Sequence, residues 1–234
     1  MATKRIVKDD DFGKIIIRTR STARNITLRT KPDGLYITVP PYCNTSRIMA
    51  VVEQSRKQLL EHWEKQEPQV FGPDYQLNAP CFRLHLEPSE LTYFCVKIDD
   101  GEVRLLYPKD TDFSSKTAHQ LIKGGIIRAL KMVASEFLPP LLDVWAERFD
   151  LTYKRVKISG SRGRWGSCSS AKSINLSCYL MLLPPHLMDY VILHELTHTL
   201  EMNHGPAFRE KLNSFTGNQA LALRKELSNF RIEF

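Results

Sequence analysis

The chain has 234 residues, enough for one large domain or two small ones, with 42% hydrophobic and 25% charged residues. Those proportions belong to a water-soluble globular protein, and no apolar run reaches the ~18 residues of a membrane-spanning helix. No low-complexity tract or internal repeat is present, and five cysteines are too few for a disulfide scaffold. Residues 1–12 carry three consecutive aspartates and lack the apolar centre of a signal peptide, so the expectation is a cytoplasmic protein with reduced thiols and no membrane contact.

The formal net charge is +7, unevenly spread. Residues 1–31 hold nine Lys/Arg against three Asp, and residues 151–182 hold six Lys/Arg and no acid. Such segments could attract phosphate or an acidic partner; solvated strand faces are the plain alternative.

In chain order, Lys14–Arg20 and Asn25–Thr30 are rich in β-branched residues and read as strands. Lys31-Pro32-Asp33-Gly34 reads as a turn, and Leu35–Val39 as a third strand closed by Pro40-Pro41. Asn44, Thr45 or Ser46 can cap a helix reaching about Gln66, with Ile48, Val51, Val52, Leu59 and Trp63 as its apolar stripe. Phe82–Leu86, Thr92–Ile98 and Val103–Tyr107 form a second strand-rich stretch, with a hairpin turn at Asp99-Asp100-Gly101. Residues 1–115 therefore read as a strand-rich region with one long helix and no catalytic constellation.

Residues 116–234 change character. Ser114 or Ser115 can cap a helix over Thr117–Phe137, with Ala118, Ile122, Ile126, Ala129, Val133 and Phe137 as its buried stripe. Pro139-Pro140 should break it and restart a short helix to about Phe149. Tyr153–Ile158 and Ile174–Leu180 read as strands. Pro184 or Pro185 suits the first turn of a helix to about Met202, Gly205-Pro206 marks its stop and the next start, and two shorter helices finish the chain.

Inside the helix that ends near Met202 lies His194-Glu195-Leu196-Thr197-His198. A spacing of four puts both imidazoles on one helix face, one turn apart, within reach of one metal ion. Glu195, next to the first ligand, can hold and deprotonate a water on that metal. A catalytic zinc wants three protein ligands and one open position. Glu201 shares the face but lies about 10 Å from His194 along the axis, too far to share the ion. His204 is preferred as the third ligand, because Asn203 and Gly205 can end the helix and turn the chain back; Glu210 and Glu226 are the fallback. His62, His85, His119 and His186 each stand alone and read as surface or packing residues. Cys168 and Cys178 lack a CxxC pair and do not suggest a second zinc site. Val191, Ile192, Leu193, Leu196 and Leu200 make the helix mostly apolar. Burying His, Glu and His there without a partner is costly, and a metal removes the cost.

Around this helix, Arg164-Trp165-Gly166-Ser167-Cys168-Ser169, Asn175-Leu176, the run Tyr190–His198, Met202-Asn203-His204 and Ala207-Phe208 resemble the YgjP-like metallopeptidase family, a relative of the SprT-like and WLM zinc peptidases. Ser21–Arg29 and Lys31–Gly34 resemble its opening strands. The resemblance covers about Lys14–Gln66 and Ile126–Arg209; Pro68–Ser115 reads as a variable insertion. It implies an α+β, minimal zincin-like domain over residues 116–234, a small antiparallel sheet packed on a long helix and on the HExxH helix, preceded by the strand-rich N-terminal region. It also implies one zinc per chain held by His194, His198 and His204, with Glu195 as general base. Arg209 stands where the family often has a Trp, and no Trp lies near Cys178; both departures concern pocket packing.

Trp165 is expected to pack beside the metal helix and Gly166 to permit a tight turn, while Arg162 and Arg164 could face the substrate and grip a carboxylate or phosphate. The leading functional reading is hydrolysis of a peptide or protein substrate by a metal-activated water. Ile174–Leu180, if an exposed edge, could pair with that substrate as an added strand. Metal-dependent hydrolysis of a nucleoside triphosphate to pyrophosphate is the alternative, weakened by the lack of a Gly-rich phosphate loop followed by Lys. A third reading is a non-enzymatic, zinc-stabilised module that binds nucleic acid through the basic N-terminal strands.

Overall fold

Ile15, Ile17, Leu35, Ile37 and Val39 recur at every second residue, and that period turns them onto one buried sheet face. In the computed structural model of the chain, which describes residues 4–31, 34–64, 70–99, 101–232 and 234, they line the core of the first of two units, residues 1–69 and 70–234. The Pro32-Asp33 turn, Asp100 and the helix end at Gln66 lie outside the described residues, as do the side chains of His62 and Trp63.

The first unit is a four-stranded sheet of β1 (Lys4–Asp9), β2 (Gly13–Thr19), β3 (Thr27–Lys31) and β4 (Gly34–Val39), in the order β1-β2-β4-β3. β2 and β4 run parallel, and the outer pairs are antiparallel. The helix α1 (Thr45–Glu64) adds Ile48 and Val52 to the same core, while Val51 and Leu59 of the expected stripe are half-buried. Of the three candidate caps, Asn44 serves: its side-chain oxygen accepts from the Ser46 N–H. The strand β1 is an addition to the sequence reading. Its polar sequence fits an edge strand paired on one side only, with Ile6 60% exposed.

The second unit opens with β5 (Gln76–Ala79), β6 (Phe82–Ser89), β7 (Cys95–Asp99) and β8 (Glu102–Pro108), ordered β5-β6-β8-β7 with β6 and β8 parallel. Leu84, Leu86, Val103, Leu105 and Tyr107 share one core with Ile122, Ile126 and Leu130 of the long helix α2 (Lys116–Arg148). A Cβ at Gly125 would lie 2.6 Å from Leu105 Cδ1, so glycine lets α2 sit directly on β8. The strands at 76–108 therefore belong to the same core as the elements that follow them.

Ser115 caps α2 by accepting from the Thr117 N–H, but the expected break at Pro139-Pro140 does not occur; the helix runs unbroken for 33 residues. The two prolines remove the donors that would serve the Ser135 and Glu136 carbonyls, and both residues are exposed, where solvent can serve them. On the opposite side Ala134, Leu138 and Leu142 are fully buried and hold the helix to the core. The stripe also shifts after Ala129, through Leu130, Ala134 and Leu138, leaving Val133 half-buried and Phe137 41% exposed. Positions three and four beyond Ile126 both lie on its inner face, so either continuation fits the helical period.

The third sheet comprises β9 (Arg155–Ser159), β10 (Gly166–Cys168) and β11 (Ser173–Ser177), ordered β10-β11-β9. It is mixed rather than wholly antiparallel: β11 pairs with β9 in parallel and with β10 antiparallel. The loop 160–165 carries the chain past the slot that β11 later fills, which makes β11 central and β10 an edge. β11 ends at Ser177 rather than Leu180, because the Ser177 side chain accepts from the Tyr179 N–H and starts a 3-10 turn, Cys178–Leu182. Three helices complete the fold: α3 (Pro185–Thr197), α4 (Pro206–Phe215) and α5 (Ala220–Asn229). The architecture is mixed α+β, and among the described residues no helix is long and apolar enough to cross a membrane.

Candidate metal centre

Pro185 at the first turn presets the backbone of α3, and Leu187, Met188, Val191, Ile192, Leu193 and Leu196 bury most of its surface. One helical turn then sets His194 and His198 side by side, with ring centroids 5.0 Å apart. The helix stops at Thr197, short of the expected Met202. The Thr197 hydroxyl donates to the Leu193 carbonyl, and the N–H groups of Thr199 and Leu200 bond to carbonyls three residues back, which tightens the backbone into turns. His198 caps the helix with helical φ and ψ of −65° and −14°, so the one-turn spacing survives the stop.

The early stop lets the chain double back. His204 Nε2 stands 3.2 Å from His194 Nε2, and the His204 ring centroid is 4.6 Å from that of His198. One ring nitrogen from each of the three histidines lies within 4.8 Å of the other two. Two nitrogens bound tetrahedrally at about 2.0–2.1 Å from zinc stand about 3.3 Å apart, so the His194–His204 spacing fits such an ion. From α4, Phe208 is 2% exposed and packs against all three imidazoles, with centroid distances of 5.0, 4.5 and 4.7 Å. His198 Nδ1–H donates to the Glu201 carbonyl at 3.0 Å, which leaves Nε2 with its lone pair.

Electrostatics favour the same use. Burial pushes the His194 pKa down to about 4, helped by the positive charges of His198, His204 and Arg224. Burial also lowers His198, against the opposing pull of the Glu201 carbonyl. Burial therefore favours the neutral form of both rings, the form that binds a cation. Glu195 is 5% exposed, and burial raises its pKa to about 7, against the opposing charge of Arg164. Its Oε2 is buried with no hydrogen-bond partner among the described residues. Three convergent imidazoles could hold a metal ion, and the orphaned carboxylate oxygen of Glu195 lies next to them.

Gly166 lies against this carboxylate: a Cβ there would come within 2.6 Å of Glu195 Cγ. Its role is close approach of β10 to α3 rather than the expected tight turn, since its φ lies outside the left-handed range. Trp165 packs edge-on to Phe230, with centroids 6.0 Å apart, and together with Gly166, His194 and Glu195 lines a cavity of about 230 Å³. A larger cavity of about 700 Å³ opens beside His194 and His204.

The remaining candidates lie elsewhere. Glu210 is exposed and outside the triad, and Glu226 is held by His186 at 2.7 Å, so neither fallback ligand joins it. His119 bonds the Phe113 carbonyl at 2.7 Å, and His85 faces Glu87 and Glu102. Cys168 and Cys178 are free thiols. Arg162 donates to the Ile232 carbonyl and lies over the Tyr179 and Phe234 rings, which ties it to the C-terminal segment. Arg164 is exposed, and its charge reaches Glu195. Sequence reasoning missed the packing of Phe208 on the imidazoles, although its spacing of four from His204 places both near the start of one helix; Arg224 carried no local signal at all.

Residues 24–230 match the family model of the YgjP-like, metallopeptidase domain. No curated protein and no solved structure matches the chain.

Proposed function

The chain belongs to the YgjP-like metallopeptidase domain family, and from that membership and the geometry above we propose that it hydrolyses peptide bonds, with one zinc ion held by His194, His198 and His204 and with Glu195 as general base. The observation that carries this reading is the convergence of three imidazole nitrogens within 4.8 Å beside a buried carboxylate with an unpartnered oxygen.

A zinc ion bound there supplies Lewis acidity, polarising a carbonyl oxygen and bringing the pKa of water to about 7. Glu195 takes the proton of the attacking water as its oxygen bonds to the carbonyl carbon, and returns it to the departing amine as the C–N bond breaks. In the metal-free chain burial raises this carboxyl to about 7, and the positive charge of a bound ion lowers it from there toward the ionised form that accepts the proton. Phe208 and the His198–Glu201 hydrogen bond keep the imidazoles in place between turnovers. The central β11 has neighbours on both sides, so β10 replaces it as the edge on which an extended substrate can pair. Of the two arginines, Arg164 is the better placed for a substrate group, because Arg162 is committed to the C-terminal segment.

The test is Glu195→Gln. The variant is expected to keep about one zinc per chain and to lose peptide cleavage by about 10²–10⁴-fold. Cleavage at the wild-type rate contradicts the assignment of Glu195, and a protein that takes up no zinc contradicts the metal centre.

A further inference from the structure

The two cavities beside the histidine triad meet at Tyr190, His194 and Arg224. From there the larger runs past Phe208, Leu212 and Leu221 to Arg209. Its wall is largely apolar, and no acidic side chain lines it. The Arg224 side chain makes no ion pair or hydrogen bond among the described residues. Glu226, its near neighbour on α5, is engaged by His186. Arg209 donates from Nε to the His204 carbonyl at 3.3 Å, which pins its guanidinium and leaves the terminal nitrogens without a carboxylate.

Two exposed guanidinium groups, neither with a carboxylate partner among the described residues, stand on a largely apolar wall beside the histidine triad, where a ligand can offer them a counter-charge. The planar fork of Arg matches a carboxylate in two parallel hydrogen bonds. A triphosphate calls for donors converging from several sides, and Leu212, Ala220 and Leu221 offer none. The aliphatic part of an amino-acid residue suits them.

We propose that this cavity is a carboxylate subsite of the peptide substrate, with Arg224 as the specificity-determining residue and Arg209 as its support. The proposal rests on the peptidase reading above. A Glu or Asp side chain near the scissile bond and the free C-terminus of a short peptide present the same group, and the experiment separates them.

Zinc-loaded Glu195→Gln protein is titrated by calorimetry with end-capped hexapeptides in which one Glu is stepped along an alanine–leucine background, each matched by Gln and Lys at the same place. A second arm compares free C-terminal acids with their amides. The expected result is one position, or the C-terminus, at which the carboxylate binds at least about tenfold tighter than its amide. Adding Arg224→Ala abolishes that difference, Arg224→Lys keeps part of it, and Arg224→Glu reverses it in favour of Lys. If no position discriminates, the proposal is overturned. Discrimination that survives Arg224→Ala also overturns it, because the carboxylate then sits on the metal. So does an Arg224-dependent nucleoside triphosphate that outcompetes every peptide. Cleavage by the wild-type protein is scored separately: selective binding without cleavage rejects the peptidase reading alone, and cleavage without selectivity rejects the subsite alone.

Discussion

His198 gives its Nδ1 proton to the carbonyl of Glu201, three residues further along the chain, so the turn that ends α3 also sets the tautomer of a ring of the histidine triad. The same turn brings round His204, which is exposed while His198 is 8% exposed. The two histidines should therefore fail differently. His204→Ala is expected to leave the metal-free protein as stable as the wild type and to weaken zinc binding by more than about 100-fold, the upper end of what outer partners of a ligand alone contribute. His198→Ala should weaken zinc comparably and also destabilise the metal-free fold. Chelator competition and urea unfolding measure the two effects.

Phe208 touches all three imidazoles and is almost fully buried. Phe208→Ala leaves a cavity under the triad and is expected to cost about 3–5 kcal/mol in urea unfolding. Phe208→Leu keeps most of the volume and should cost about 1 kcal/mol while still loosening the rings. Zinc affinity of the Leu variant is expected to fall by about tenfold, as for other groups that orient ligands.

Stability of the metal-free protein should depend on pH through Glu195. Its carboxyl titrates near 4.5 when unfolded and about 7 when folded, raised by burial. Between those values the folded state keeps a proton that the unfolded state has lost. Stability therefore falls as pH rises through that window, and the penalty is complete above about 7. Glu195→Gln removes it, so the metal-free variant should be more stable than the wild type at pH 8, by up to about 3 kcal/mol, and equal to it at pH 4. The lowered pKa of His194 acts oppositely, costing stability as pH drops from 6.5 toward about 4, but it is common to both proteins and cancels in the difference. Thermal or urea unfolding of the two chains across this range checks the sign.

Gly166 lies so close to Glu195 that a methyl group must move one of them. Gly166→Ala is expected to retain zinc, since none of the triad lies on β10, and to lower kcat/KM by more than about tenfold through displacement of Glu195, the proposed general base. Loss of zinc in this variant would contradict the separation of ligands from base.

What could be read from the chain is what short-range periodicity encodes. The spacing of four in His194-Glu195-Leu196-Thr197-His198 depends only on helix geometry, and it held although the helix ended sooner than expected. His204 could be preferred over Glu210 and Glu226 because Asn203 and Gly205 allow the helix to end and the chain to turn back, and the structure has a turn there. The unbroken α2 was not legible, because buried Ala134, Leu138 and Leu142 outweigh two prolines whose lost bonds face solvent. The edge strands β1 and β10 were missed because neither shows alternation against a core: one is polar, and the other is three residues long. Arg224 lies on another helix far along the chain, and only the packing of α5 beside α3 brings it to His194.

The most direct test of the metal centre is X-ray absorption at the zinc edge on protein loaded with one equivalent of the ion. Three imidazole nitrogens at about 2.0–2.1 Å and one light solvent oxygen are the expected shell, with one nitrogen lost in His204→Ala. A shell with sulfur, with fewer than three imidazoles, or unchanged in His204→Ala would contradict the account.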